Sequence, residues 1–180
     1  MIKTKSKILA LAVALTLAVT VATAAANPFS GQDSGLTKEI RKELVTLPYY
    51  GVYDNLAFKV EGDTVTLYGQ VTRPSTRKDA ERRVAKIEGV ERVINNIKVL
   101  PLSSFDDGIR VRTLRAIART GSLYRYFQGA NPSIHIIVDH GNVTLEGVVS
   151  SKGDSNLAYI AANGVSGVFK VTNNLVVSRD

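Results

Sequence analysis

The residues that could support chemistry are few, and they are poorly placed for it. His135 and His140 flank Asp139. On an alternating strand His135 and Asp139 share a face, while His140 falls in the following turn. A metal site would need a third ligand and matched facing. The expectation is therefore a strand residue and an exposed turn residue, with no metal. No Gly-x-Ser-x-Gly elbow is present for a hydrolase nucleophile. Neither a Walker-type phosphate loop nor a dinucleotide fingerprint occurs. Asp106 and Asp107 are adjacent carboxylates, but they stand where a helix should begin, and capping accounts for them. The chain has no cysteine. That excludes disulfides, thiol nucleophiles, Cys-ligated zinc, iron–sulfur clusters and a lipid anchor on an N-terminal cysteine. No enzyme activity and no cofactor are expected.

The elements that carry these residues occur twice. Val65-Thr-Leu-Tyr-Gly69-Gln-Val71 recurs as Val143-Thr-Leu-Glu-Gly147-Val-Val149, an offset of 78. At the same offset Gly89-Val90 matches Gly167-Val168, Asn95-Asn96 matches Asn173-Asn174, and Val99 matches Val177. Residues 65–99 share 12 identities in 35 positions with the second copy, against about two by chance. Each copy opens on an amphipathic helix: Leu36, Ile40 and Leu44 with Ser34 as a cap, then Leu114 and Ile117. A strand, a Gly-containing turn and a second alternating strand follow (57–71 and 134–149), which suits a hairpin. A second helix and a last strand complete the unit. The fold class expected is α+β: a tandem repeat of two small α-β-β-α-β domains, each a three-stranded mixed sheet with two helices on one face. One unit alone is marginal in size.

Residues 1–26 read as a cleaved secretory signal peptide. Lys3, Lys5 and Lys7 precede an Ala/Leu/Val run, and Ala24-Ala25-Ala26 offers small residues for cleavage after Ala26, with a competing site after Ala24. The run is shorter than the about 20 residues of a membrane span, which favours a leader over an uncleaved anchor. Residues 27–35 read as a flexible tether, 36–101 as domain 1 and 106–178 as domain 2. The whole chain has 23 Lys+Arg against 16 Asp+Glu, a net charge of +7. Removing the leader takes away three lysines and leaves +4, too little to argue for nucleic acid.

Two surfaces of the second copy differ from the first. Arg112, Arg115 and Arg119 fall within a ~60° arc of the first helix, opposite Leu114 and Ile117. Leu123, Tyr124, Arg125, Tyr126 and Phe127 follow directly. A guanidinium stripe beside aromatics suits an anionic phospholipid surface, at about 1 kcal/mol per charge, with tyrosine at the headgroup level. The contrary reading is a solvated basic face whose aromatics cap the domain's own core, as the parallel Tyr49-Tyr50-Gly51-Val52-Tyr53 suggests. On the second helix, Tyr159 and Ile160 stand where the first copy has Glu81 and Arg82. Exposed apolar residues so grouped indicate a contact, first with the other copy, second with a partner protein or by self-association.

The turn followed by Val-Thr-Leu-x-Gly-x-Val, the helix, and Gly-Val-x-x-Val-x-Asn-Asn-x-x-Val, present twice, resemble the BON domain. The resemblance covers nearly all of the chain after the leader. It implies a non-enzymatic periplasmic protein of the soluble, OsmY-like branch. It also implies phospholipid-surface binding and envelope protection under osmotic or other stress. A chaperone or adaptor working on envelope proteins is the alternative. The motif glycines Gly69 and Gly147 and the Asn pairs read as structural.

Overall fold

The computed structural model describes residues 35–178. The expected leader and the cap at Ser34 lie outside them. The first copy comprises α1 (Gly35–Val45), β1 (Asn55–Glu61), β2 (Thr64–Val71), α2 (Pro74–Val84), β3 (Arg92–Asn95) and β4 (Lys98–Val99). The second comprises α3 (Ser104–Ala118), a 3-10 helix (Leu123–Phe127), β5 (Ile134–Asp139), β6 (Asn142–Val149), α4 (Lys152–Asn163), β7 (Lys170–Asn173) and β8 (Val176–Val177). The tandem α+β architecture is as expected. α1 begins at Gly35, one residue inside the expected tether.

The two sheets have the same register. β1 and β2 form an antiparallel hairpin with Val60 opposite Val65, and β3 runs parallel to β2 with Val93 beside Val65. In the second copy Val138 faces Val143 and Val171 lies beside Val143. The expected single last strand is two short segments in each copy, because an asparagine side chain interrupts it. Asn95 Oδ1 accepts from Ile97 N–H at 3.2 Å, while its Nδ2 donates to Arg77 O at 3.0 Å on α2. Asn173 repeats this with Leu175 N–H and with Ser155 O, both at 3.2 Å. The amide occupies backbone groups that a ladder would otherwise use and ties the strand to the helix above it.

Each core lies between the helices and one sheet face. Ile40 and Leu44 of α1, Val65, Leu67 and Val71 of β2, and Ala80 and Val84 of α2 form the first. Ile109 and Ile117, Ile134, Ile136 and Val138, and Ala158 and Ala162 are among those forming the second. Full burial of each such aliphatic side chain contributes about 1.5–3 kcal/mol before chain entropy is counted. The motif glycines are needed where β2 and β6 meet their partners. Gly69 has φ +113°, and a Cβ there would stand 2.0 Å from Asn55 O; Gly147 has φ +118° and would meet Ser133 O at 2.0 Å. Only glycine fits that approach.

The start of α3 departs from the sequence reading. Ser103, not an aspartate, caps the helix, its Oγ accepting from Asp106 N–H at 3.2 Å. The buried Asp106 carboxylate instead accepts from His140 N–H at 3.0 Å and Gly141 N–H at 2.8 Å. It therefore pins the β5–β6 turn to the helix.

Candidate functional site

The outer face of α3 carries the arginine stripe. Arg112, Arg115 and Arg119 are exposed, while Ile109, Thr113 and Ile117 are buried on the opposite side. None of the three forms an ion pair among the described residues. Arg112 Nη2 donates to Ser166 O at 3.2 Å, which holds that guanidinium over the loop before β7. The stripe runs on into two phenylalanines that sequence reasoning missed. Phe105 lies seven residues before Arg112, on the same helix face. Its ring centroid is 6.2 Å from that of Phe169. Phe105 is 50% exposed and Phe169 75%. The signal was available, since Phe169 occupies the position of Glu91 in the first copy.

The aromatics after α3 divide. Tyr124 is exposed, but Tyr126 is buried and Phe127 packs against the second core. These two are corrected from lipid-facing residues to parts of the domain's own packing, because the 3-10 turn aims them inward. The Tyr126 hydroxyl accepts from Ser150 N–H and donates to Asp154 Oδ2, both at 2.8 Å. Arg125 also pairs with Asp154 at 2.8 Å. The Tyr126 hydrogen bond, followed by those from Ser151 and Arg125, holds the Asp154 carboxyl below its usual range.

Tyr159 and Ile160 remain open surface. Ile160 is 64% exposed, and Leu157 beside them is also uncovered. The expected docking of this face on the first copy is therefore corrected, as the contact between copies runs through β5. Ile136 N–H donates to Val52 O at 2.7 Å. His135 Nδ1 lies 3.2 Å from Gly51 O, and its ring is tilted against that of Tyr50, centroids 5.5 Å apart. Val52 and Tyr53 pack against the second core. Lys98 Nζ meets Asp139 at 2.6 Å. Ile134, Ile136 and Val138 face the second core, so His135 and Ile137 face away from it. Ile137 is nonetheless only 3% exposed. Burial pushes the His135 pKa down and the Tyr50 hydroxyl up to about 12.

His140 sits in the turn at φ +51°, its ring beside Asp139 at 2.7 Å. Among the described residues no group of three His, Asp or Glu side chains is placed to hold a metal ion, and no helix is long and apolar enough to cross a membrane.

The BON domain family matches residues 32–101 and again 106–179. The chain belongs to the BON domain family, with two such domains in tandem. That family is generally linked to membrane and phospholipid binding, its members are often periplasmic, and they are not known as enzymes. No curated protein matches the chain. Among solved structures it is similar to the C-terminal domain of CdsD, a structural protein of the type III secretion system of Chlamydia trachomatis. There the identity is 11%, the match covers 81% of this chain and 98% of that one, and the TM-score is 0.29. A second CdsD structure shares 12% identity over 79% of this chain and 92% of its own, also with a TM-score of 0.29.

Proposed function

We propose that this is an exported, periplasmic, non-catalytic protein that binds anionic phospholipid surfaces weakly through the second BON domain and supports envelope integrity under osmotic or other stress. One observation carries the reading: Arg112, Arg115 and Arg119, without ion-pair partners among the described residues, continue into the exposed Phe105–Phe169 pair. Guanidinium groups supply attraction to lipid phosphates, about 1 kcal/mol each near the surface. The phenyl rings supply apolar area that gains by leaving water. Vesicle flotation tests it, with neutral and anionic lipid at low and high salt. The expected result is binding to anionic vesicles that weakens with salt and is lost in the combined Arg112→Glu, Arg115→Glu, Arg119→Glu variant without loss of fold. Equal binding to neutral vesicles would remove the electrostatic basis.

The second reading, a chaperone or adaptor for envelope proteins, is favoured by the exposed Leu157, Tyr159 and Ile160 on α4. It predicts that Ile160→Asp abolishes suppression of client aggregation while leaving flotation unchanged.

A further inference from the structure

Where the two domains meet, the chain leaves a cleft of about 530 Å³ between the start of α2, the linker and the first turns of α3. Such a volume is within the range of small-molecule sites, about 300–1,000 Å³. Its walls are largely apolar: Tyr53, Pro74, Leu100, Pro101, Leu102 and Val111. Leu102 is 97% exposed, the most exposed large apolar side chain among the described residues. Two cations border the cleft, and they are not equivalent. Arg110 is consumed by the fold: its Nη1 pairs with Asp107 at 2.5 Å and its Nη2 donates to Val138 O at 2.6 Å. Arg73 is exposed, has no ion pair among the described residues, and lies over the Tyr49 ring at 4.6 Å. The cleft therefore presents one available positive charge at the edge of an apolar floor.

We infer that this interdomain cleft binds a single-chain anionic amphiphile, with its acyl or alkyl chain along Leu100–Leu102, Pro74 and Val111 and its anionic headgroup at Arg73. Charge complementarity selects the headgroup, and the lining selects the chain. A peptide is a poorer match, because four of the backbone positions lining the cleft have no N–H to donate to it. Thr72 N–H donates to Asp54 Oδ1 at 2.6 Å, Leu100 N–H donates to Val71 O at 2.8 Å, and Pro74 and Pro101 have no N–H. A hydrocarbon chain requires no such partners. This site is separate from the α3 stripe, and the inference does not rest on the membrane reading.

The test is an NMR titration of the protein with dodecyl phosphate below its micelle concentration, beside ethyl phosphate and dodecyl maltoside. Amide shifts are expected at Thr72, Arg73, Leu100, Leu102 and Val111, with no saturable shifts from ethyl phosphate and weaker binding of the maltoside. Arg73→Glu and Leu102→Ser, both at exposed positions outside either core, should each weaken dodecyl phosphate about tenfold while thermal unfolding stays put. The combined arginine variant of α3 should keep dodecyl phosphate binding even where it loses vesicles. Shifts confined to α3 and Phe169 would overturn the site. So would undiminished binding in Arg73→Glu and Leu102→Ser, equal affinity for the maltoside, or an acidic peptide that outcompetes dodecyl phosphate.

Discussion

The N–H of Ile136 donates to the carbonyl of Val52 over 2.7 Å, which joins the edge of β5 in the second domain to the loop after α1 in the first. An edge strand with unpaired backbone groups invites association with other chains. Here part of that edge is covered from within the chain. The contact explains why the two copies are not symmetric. Ile137 in β5 pairs with Thr144, and its counterpart Lys59 in β1 pairs with Thr66. The lysine is exposed and bonded to Glu61, whereas the isoleucine is buried.

Ile137→Lys should therefore separate the domains. Placing an ammonium at a buried apolar position costs about 2 kcal/mol or more unless the contact opens. The expected result is two thermal transitions in place of one and a larger radius in small-angle scattering, with β5–β6 pairing intact. Lys59→Ile, at the open equivalent, should change stability by less than about 0.5 kcal/mol. A single unchanged transition in Ile137→Lys would show that Ile137 does not hold the two domains together.

The same contact should depend on pH through His135. Burial lowers its pKa from the ordinary 6.5, against the opposing pull of the Gly51 carbonyl and the Asp54 backbone and carboxylate. Tyr50, which packs on the ring, stays neutral throughout this range. The unfolded chain thus takes up the proton first as pH falls. This contribution to stability is complete above pH 6.5 and is lost progressively as pH falls toward the lower folded value. The urea midpoint should drop from pH 7.5 to 5.5 more in the wild type than in His135→Gln. Exposed His140 is common to both proteins and cancels. Parallel pH profiles would remove His135 as the cause.

Gly69→Ala and Gly147→Ala should each destabilise by about 2–4 kcal/mol, since the residue has φ above +110° and its new Cβ would collide with a carbonyl at the start of β1 (Asn55) or just before β5 (Ser133). Gly153→Ala is the control. It lies in α4 with ordinary φ, the nearest atom to its Cβ is Ser151 Oγ at 3.5 Å, and it should gain about 0.5 kcal/mol. Urea unfolding followed by circular dichroism reads all three. Tolerance of alanine at Gly69 would contradict the structural role of the motif glycine.

How much of this was legible in the sequence depends on which residues carry a period. Val65, Leu67 and Val71, and their copies 78 residues on, alternate and recur, so the hairpins and the tandem organisation could be read directly. The break at Asn95 was hidden, because it depends on an amide reaching both Ile97 N–H and α2, a contact without periodicity. Tyr126 and Tyr124 are two residues apart and chemically identical. Only the 3-10 turn decides that one is buried against Ser150 and Asp154 and the other faces water. The sequence points to α4 for the domain contact, because apolar residues replace charged ones there. The same substitution signal, Ile137 for Lys59, was present on β5. In Ile134–Val138, apolar except for His135, it merges with the core pattern.

The Phe105–Phe169 pair yields the last prediction. Attraction between the arginine stripe and anionic lipid is screened by salt, with a Debye length of about 8 Å at physiological ionic strength. Insertion of phenyl rings is not screened. If both act, binding to anionic vesicles should split into two parts. The α3 arginine variant should lose the low-salt part. Phe105→Ser with Phe169→Ser should keep some low-salt attraction but lose whatever persists at high salt. Both rings are well exposed, so their replacement should leave unfolding within about 0.5 kcal/mol and separate a binding effect from a folding one. Flotation at low and high salt, run on the two variants side by side, makes the distinction. If the double phenylalanine variant matched the wild type at every salt concentration, the rings would lie outside the membrane contact, and the binding would be electrostatic alone.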